Sequence, residues 1–312
     1  MTRPAPRLHD KVLRNLAAKG EAGVAWLAAL PGEIGRLERA WGIAVGQTFP
    51  NATEAYVAEA VLADGSPAAI KIPIPGVEKA QREIEVLRAA GGHGFVRLLR
   101  SDPSTGAMLQ ERLGRQLAQL GLTAEAEIEA VCGTLQQAWI RPPAGLQLMT
   151  GAEKARSMED VIRSVRARYR GACSERAAAV ALRFTEQRRE AFEPATSVLG
   201  HGDAHAWNTL EDPKSGGFKF VDPEGLFIER AHDLSISLRE GVNDFLAGDP
   251  LERGRSRCAF LARLTGTDNR AIWQWGLIEC LVNGLLYVDV GTPEHGAPFL
   301  AIAEAWAAAE PG

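Results

Sequence analysis

Apolar residues recur at helical spacing through the first forty positions, as in "AGVAWLAALPGEIGRLERAWG", with Pro31 placed to open a second helix. The period then shortens. "YVAEAVLADGSPAAIKIPIP" predicts two strands, Tyr56 to Ala63 and Ala68 to Ile74, joined by a turn at "DGSP". "VEKAQREIEVLRAAGG" predicts a helix carried by Val77, Ile84 and Leu87 and stopped by its glycines. "FVRLLRSDPSTGAMLQERL" adds two short strands around "DPSTG", so residues 45 to 112 read strand, strand, helix, strand, strand. That is the outline of a small antiparallel α+β lobe. Beyond Gly114 the pattern is helical as far as Phe192, with arginine-rich polar faces that read as solvated. Two short apolar runs follow, and helical sequence continues to the end. "AIWQWGLIECLVNGLLYVDVG" is apolar nearly all round, as expected of a central core helix. One boundary is expected, giving an N-terminal lobe 1–112 and a C-terminal lobe 113–312.

Both short apolar runs end in polar groups. "VLGHGDAHAWNTL" closes with His201, Asp203, His205 and Asn208, and "FKFVDPEGL" sets Asp222 fourteen residues beyond that asparagine. Asp and Asn at strand exits commonly cap turns. His201, Asp203 and His205 also alternate as metal-capable groups, although zinc wants three or four ligands with fixed supporting partners. The third reading rests on spacing. A kinase catalytic loop has an Asp followed five positions later by a metal-binding Asn, with a second metal-binding Asp on a later strand. Asp203, Asn208 and Asp222 fit that order, and "EDPKSGG" suits the hairpin that would bring them together. Phosphoryl transfer further needs a cation on the phosphates and an anion to hold it. Lys71 in the middle of "AAIKIP" and Glu83 or Glu85 on the next helix are the candidates. Two positions along a helix turn the side chain by about 200°, so only one of the two glutamates faces the lysine.

Composition narrows the partners. The net charge of −4, with 46% hydrophobic and 24% charged residues, describes an ordinary globular chain without a basic field for nucleic acid or anionic membrane. No signal-like segment and no run of 18 apolar residues occurs, so the expected compartment is the cytoplasm. Cys132, Cys173, Cys258 and Cys280 are far apart and read as buried free thiols. The six histidines offer no further closely spaced member for a binuclear hydrolase. Nothing in the pattern favours a particular oligomeric state.

"HGDAHAWNTL" is similar to the His-Gly-Asp-Leu-His-x-Gly-Asn pattern of the aminoglycoside phosphotransferase branch of the protein-kinase-like fold, and "FVDPEGL" to its Ile-Asp-Pro-Lys-Gly. Within that branch the chain resembles the streptomycin 6-kinase and hydroxyurea kinase family over about residues 25 to 240. "WLAALPGEIGRLERAWGIAVGQTFPNATEAYVAEA" is similar to its N-terminal helix and first strands, and "GGHGFVRLL" with "MLQERL" to the segment leading to its hinge. The resemblance implies an α+β bilobal fold, with a small antiparallel-sheet N-lobe and a larger, mainly helical C-lobe. It implies transfer of the γ-phosphate of ATP to a hydroxyl of a small molecule, an aminoglycoside such as streptomycin, or hydroxyurea or another small metabolite. By it, Asp203 would be the catalytic base, and Asn208 and Asp222 would hold Mg²⁺. Lys71 would meet the phosphates and pair with Glu83. Asn51 and Thr53 would act in the phosphate loop "GQTFPNATEA", and the backbone of Gln110, Glu111, Arg112 and Leu113 would form the adenine hinge. His201 and Asp233 would brace the catalytic loop. Two departures stand out: no GxGxxG is present, and Trp207 occupies the family's glycine position, with Ala204 in place of a leucine.

A cationic acceptor implies carboxylates around it. The C-terminal part offers Glu240, Asp244, Asp249, Glu252, Glu279, Asp289 and Glu294. His205, Glu224 and Glu279 are taken as substrate candidates. Glu279 interrupts an apolar run and would need a ligand or a partner such as Arg270 if buried. Trp139, Trp273 and Trp275 suit a sugar-site wall or the core equally. A nucleotide-binding protein without catalysis, and a hydrolase using "HGDAH", are the other function classes.

Overall fold

The computed structural model describes residues 8–50, 52–75 and 79–311. The chain divides into two compact units, Met1–Gly114 and Arg115–Gly312.

The first unit opens with helices α1 (Asp10–Ala18) and α2 (Glu21–Trp41), followed by strands β1 (Ile43–Thr48), β2 (Ala55–Leu62) and β3 (Pro67–Pro73). Helix α3 (Lys79–Ala90) and strands β4 (Leu98–Asp102) and β5 (Ala107–Glu111) complete it. The five strands form one antiparallel sheet in the order β1-β2-β3-β5-β4. Pro31 does not open a new helix; α2 runs straight through it. The reason is burial. Leu30, Ile34 and Leu37 pack on Tyr56, Ile70, Ile72 and Leu109 of the sheet, and each such side chain contributes about 1.5–3 kcal/mol. Together they exceed the roughly 3 kcal/mol that a proline costs inside a helix. Strand β1, whose alternation is interrupted by Gly46, adds a fifth strand to the four outlined above. It absorbs Gly46, Gln47 and Thr48 of the expected phosphate loop, leaving only Phe49 to Glu54 as connection. Val77 and Asn51 lie outside the described residues.

In the second unit a short 3₁₀ turn (Leu117–Gln119) precedes α4 (Ala124–Ala138). The expected helical stretch is then broken: Trp139 to Leu148 is irregular and leads to β6 (Met149–Thr150). Thr150 begins α5 (Gly151–Arg168) with a capping box closed by Glu153, and α6 (Glu175–Glu190) follows. Next come β7 (Val198–Gly200), β8 (Thr209–Glu211), β9 (Phe218–Phe220) and β10 (Leu226–Ile228). Strands β8 and β9 form a hairpin through Asp212 to Gly217, and β10 pairs with both β6 and β7. The strand β10 also corrects the expectation that only helices follow Asp222. Helices α7 (Arg230–Glu240), α8 (Val242–Leu246), α9 (Pro250–Thr265), α10 (Asn269–Asp289) and α11 (Pro293–Ala308) end the chain. Helix α10 packs against α5, α6, α7, α9 and α11. It is long and apolar enough to cross a membrane, yet 78% of that window is buried inside the protein. Cys132, Cys258 and Cys280 are buried free thiols, whereas Cys173 is half-buried.

The chain is thus an α+β protein with one small antiparallel sheet and a larger, mainly helical part.

Candidate functional site

Alternation along β3 sends Ile70 and Ile72 into the core beneath α2 and turns Lys71 to the opposite face. There the Lys71 ammonium reaches both carboxylate oxygens of Glu83, at 2.8 and 2.6 Å. Glu83 is 5% exposed, while Glu85 is half-buried one face away. Thr53 is half-buried in the connection after β1, its carbonyl accepting from Asn15 Nδ2. The expected hinge is partly strand. Gln110 and Glu111 belong to β5, where the Glu111 N–H donates to Arg97 O and its carboxylate accepts from Arg97 N. The groups left outside the strand are those of Arg112 and Leu113. The Arg112 guanidinium lies 4.1 Å from the Phe49 ring centroid and 3.3 Å from Glu59.

In the second unit, two loops meet at the ends of β7 and β9. Asp233 on α7 accepts from the backbone N–H groups of His201 and Gly202, at 3.0 and 2.8 Å, and from the indole of Trp139. The glycines permit this approach: a Cβ on Gly200 would lie 2.6 Å from Ile228, and one on Gly202 2.8 Å from Glu224. His201 is fully buried, with Nε2 2.9 Å from Val221 O and Nδ1 accepting from Asp203 N. Burial holds its pKa below the usual histidine value. Both ring nitrogens are therefore committed to structure, which removes His201 from any metal-ligand set. Among the described residues no group of three or more His, Cys, Asp or Glu could hold a metal ion.

Asn208 Nδ2 donates to the Asp203 carbonyl at 3.0 Å, and Asn208 O accepts from Val221 N. These bonds tie the loop carrying Asp203 to the segment that runs from β9 into Asp222. Asp222 has φ +57°, the one non-glycine residue with positive φ among those described. A left-handed aspartate is uncommon, and such conformations concentrate where a side chain must be aimed. Glu224 N, two residues on, returns to His201 O at 2.8 Å.

The charges around Asp203 extend well beyond the loop. Arg239 Nη2 lies 2.5 Å from Asp203 Oδ1, and His205 Nε2 lies 3.3 Å from Oδ2. Burial alone would raise the Asp203 pKa, but His205 and Arg239 outweigh it and hold the carboxyl well below the usual range. Arg239 also meets Glu240 at 3.0 Å and Glu279 at 3.6 Å. Glu279 sits 3.3 Å from His232 Nε2 and accepts from Asn283 Nδ2. It is fully buried, yet His232, Lys154 and Arg239 overcome the burial and bring its pKa down to about 2. Lys154 in turn lies 3.4 Å from Glu224; burial opposes its charge, and Glu279 and Glu224 outweigh that and raise its pKa.

Several expectations need correcting. Arg270 is not the partner of Glu279; it forms a bidentate pair with Glu310. Glu279, inside this network, is a poor direct contact for substrate. Trp139, Trp273 and Trp275 are buried, and each indole donates to a carboxylate (Asp233, Glu310 and Glu229), which makes them core residues. Asp249 caps α9, and Asp289 pairs with Arg168. Trp207, at the family's glycine position, is 50% exposed, and its carbonyl accepts from Gln116 Nε2. Arg239 and Lys154 escaped the sequence reading. A signal did exist: His232 and Arg239 are seven residues apart, two helical turns, and so share the face of α7 that meets Glu279.

Comparison with known proteins gives the family of the chain. Residues 41–291 match the model of the family described as aminoglycoside/hydroxyurea antibiotic resistance kinase. The chain is 31% identical over 297 residues to a hydroxyurea phosphotransferase of Kitasatospora aureofaciens, covering 91% of this chain and 81% of that one. It is 31% identical over 300 residues to a streptomycin 6-kinase of Streptomyces griseus, covering 92% of each. Among solved structures, an amicoumacin kinase in complex with AMP-PNP, Ca²⁺ and Ami superposes with a TM-score of 0.58 at 15% identity, covering 87% of this chain and 93% of that one. The fold is protein-kinase-like, and the chain belongs to the aminoglycoside/hydroxyurea antibiotic resistance kinase family, phosphotransferases whose acceptor is a hydroxyl group.

Proposed function

We propose that the chain transfers the γ-phosphate of ATP, with Mg²⁺, to a hydroxyl of an aminoglycoside such as streptomycin, or of hydroxyurea. The observation that carries this reading is the bond from Asn208 Nδ2 to Asp203, on a hairpin whose second strand runs into Asp222. With its nitrogen spent on Asp203, the Asn208 amide presents its oxygen, and Asp222 adds a carboxylate. Two hard oxygen donors suit Mg²⁺, which keeps several waters and favours such ligands. Bound there, the ion would neutralise phosphate charge.

The protein's own groups do the rest. Arg239 and His205 keep Asp203 ionised, so it receives the hydrogen bond of the acceptor hydroxyl and aims its oxygen at phosphorus. A weakly basic carboxylate suffices, because the loose transition state of phosphoryl transfer needs little proton removal before the bond to phosphate forms. Each carboxylate oxygen has two lone pairs, so contacts from Arg239 and His205 leave acceptor capacity on both. Lys71, held by Glu83, supplies the cation for the phosphates, and the backbone of Arg112 and Leu113 meets the adenine. Thr53 would act in the phosphate loop, a role also assigned to Asn51 by the resemblance. The relatives named for streptomycin and hydroxyurea, and the neighbour bound to an ATP analogue, support a nucleotide donor and a small-molecule acceptor.

The direct test is ATP consumption with Mg²⁺ against streptomycin, other aminoglycosides and hydroxyurea. Asp203→Ala is expected to lower turnover by about 10²–10⁴-fold while nucleotide still binds. Turnover in Asp203→Ala equal to the parent would remove Asp203 from the reaction.

A further inference from the structure

The second unit holds a cavity of about 170 Å³ lined by Glu127, Ile128 and Val131 of α4, by His205 and its neighbours, and by Glu240 and Asp244. His205 on its wall has Nε2 3.3 Å from Asp203 Oδ2. Most charges around the cavity are already engaged. Glu240 is paired with Arg239, and Asp244 with both Arg253 and Arg257. Arg257 also donates to Ser237 O and lies over the Phe245 ring.

Two groups are left over, and both are hydrogen-bond acceptors. His205 Nε2 faces a carboxylate, and in the neutral ring a proton held there leaves Nδ1 as a lone pair. That nitrogen is buried and has no protein partner. Glu127 is half-buried on the cavity wall, and among the described residues no cation meets its carboxylate. Burial raises its pKa, as expected of a carboxylate without a counter-charge. A buried nitrogen without a partner has given up its hydrogen bond to water, so a ligand that donates to it gains directly.

Size and chemistry then select the ligand. With about 30 Å³ for each water-sized group, the cavity takes about five or six non-hydrogen atoms. It has acceptors to offer, one of them anionic, and apolar walls from Ile128 and Val131. We propose that this cavity receives a planar, N–H-rich group of the acceptor, a guanidinium or a urea, with Glu127 and His205 Nδ1 as its hydrogen-bond acceptors. Streptomycin carries guanidinium groups and hydroxyurea is itself a urea, so one cavity chemistry matches both compounds. The assignment of this group to the acceptor rests on the phosphotransfer reading above. The cavity's ligand class does not depend on turnover.

The experiment therefore separates binding from transfer. Binding of methylguanidinium and of hydroxyurea to the full chain is followed by saturation-transfer NMR. The parent and Glu127→Ala are compared, with Ile128→Phe as a second variant that fills the cavity without altering charge. Thermal melts identify any variant that fails to fold. At least one probe is expected to bind the parent, with affinity reduced tenfold or more in Glu127→Ala and abolished in Ile128→Phe. If only methylguanidinium binds, the group is cationic; if hydroxyurea binds equally, the cavity reads the planar N–H pattern. No binding of either probe to the parent, or equal binding to the folded Glu127→Ala, overturns the proposal. Phosphate transfer to streptomycin with unchanged KM in Glu127→Ala would overturn the cavity and leave the kinase reading intact. Probe binding without transfer to any acceptor would do the reverse.

Discussion

In the first unit one lysine meets one glutamate; in the second, one arginine meets three carboxylates. Lys71 and Glu83 form a short pair between a strand and the next helix, close in sequence. Arg239 touches Asp203, Glu240 and Glu279, and Glu279 reaches on towards His232 and the charge of Lys154. The first arrangement is modular: losing it removes one contact between a strand and the next helix. The second is shared among α5, α7, α10 and the loop after β7, so losing one member strands several others. Burial raises the stakes further, because a buried charge left without its partner costs far more than the pair itself contributes.

The largest expected effect follows from that difference. Glu279→Ala removes the buried carboxylate at the centre of the network, leaving His232 without its ion-pair partner, Arg239 with only Asp203 and Glu240, and Lys154 with only Glu224. Breaking a buried pair in this way costs about 3–5 kcal/mol, a fall in melting temperature of roughly 10 °C for a unit of this size. Glu279→Gln keeps the volume and one hydrogen-bond acceptor, and should cost less. A melt of Glu279→Ala within 2–3 °C of the parent would mean that the network is not coupled as its distances imply.

Lys71→Ala ranks second. It should lower kcat/KM for ATP by about 100-fold, about 2.7 kcal/mol of transition-state stabilisation, with a smaller loss of melting temperature than Glu279→Ala. Glu83 can shed its stranded charge by taking up a proton, which limits the structural damage. Steady-state kinetics at varied ATP, together with a melt, separates the two contributions. Equal thermal losses in Lys71→Ala and Glu279→Ala would erase the contrast between the units.

The same contrast explains what could be read from the sequence. Lys71 with the next helix, and Asp203 with Asn208, are close in the chain, so strand position and a five-residue spacing picked them out, while the choice of Glu83 over Glu85 came from the family resemblance and is the pair the structure forms. The hairpin to Asp222 was equally local. Arg239 was not legible as a partner of Asp203, because that contact spans 36 residues and depends on where α7 lies. Glu279 drew attention as a polar residue in an apolar helix, yet its partners come from α5 and α7, and Arg270 was used up by Glu310 near the end of the chain. Pro31 misled for a related reason: local propensity marked a helix start, and the packing of Leu30, Ile34 and Leu37 on the sheet overrode it. Residues that belong to one loop were visible, and residues supplied by the packing of distant helices were not.

Arg239→Gln is the third prediction and asks whether the arginine acts through Asp203. Removing the cation lets burial act on the carboxyl, so the Asp203 pKa rises. The acidic limb of the kcat profile should move to higher pH, by about one unit, worth roughly 1.4 kcal/mol. Arg239→Lys should restore part of that shift. A merely structural arginine would lower stability and leave the position of the limb where it was.

The smallest effect concerns His201, which has no counterpart in the first unit. Its ring is buried and its pKa is depressed, chiefly by that burial. The unfolded chain therefore binds a proton near pH 6.5 that the folded protein refuses until lower pH. Between those two values the unfolded state holds more protons, so stability rises with pH there. The contribution of His201 is complete above about pH 6.5 and is lost as pH falls towards the depressed folded value, with a slope of at most about 1.4 kcal/mol per pH unit. His201→Gln offers an amide to Val221 O and removes the titration. Its urea midpoint should lie below the parent's at pH 7.5, because the ring's packing against Phe220 is lost. Between pH 6.5 and 5.5 the two midpoints should draw together. Parallel pH dependence in the two proteins would show that the proton is taken up elsewhere, and that the histidine beside Asp203 is held by its hydrogen bonds without any burden from its charge.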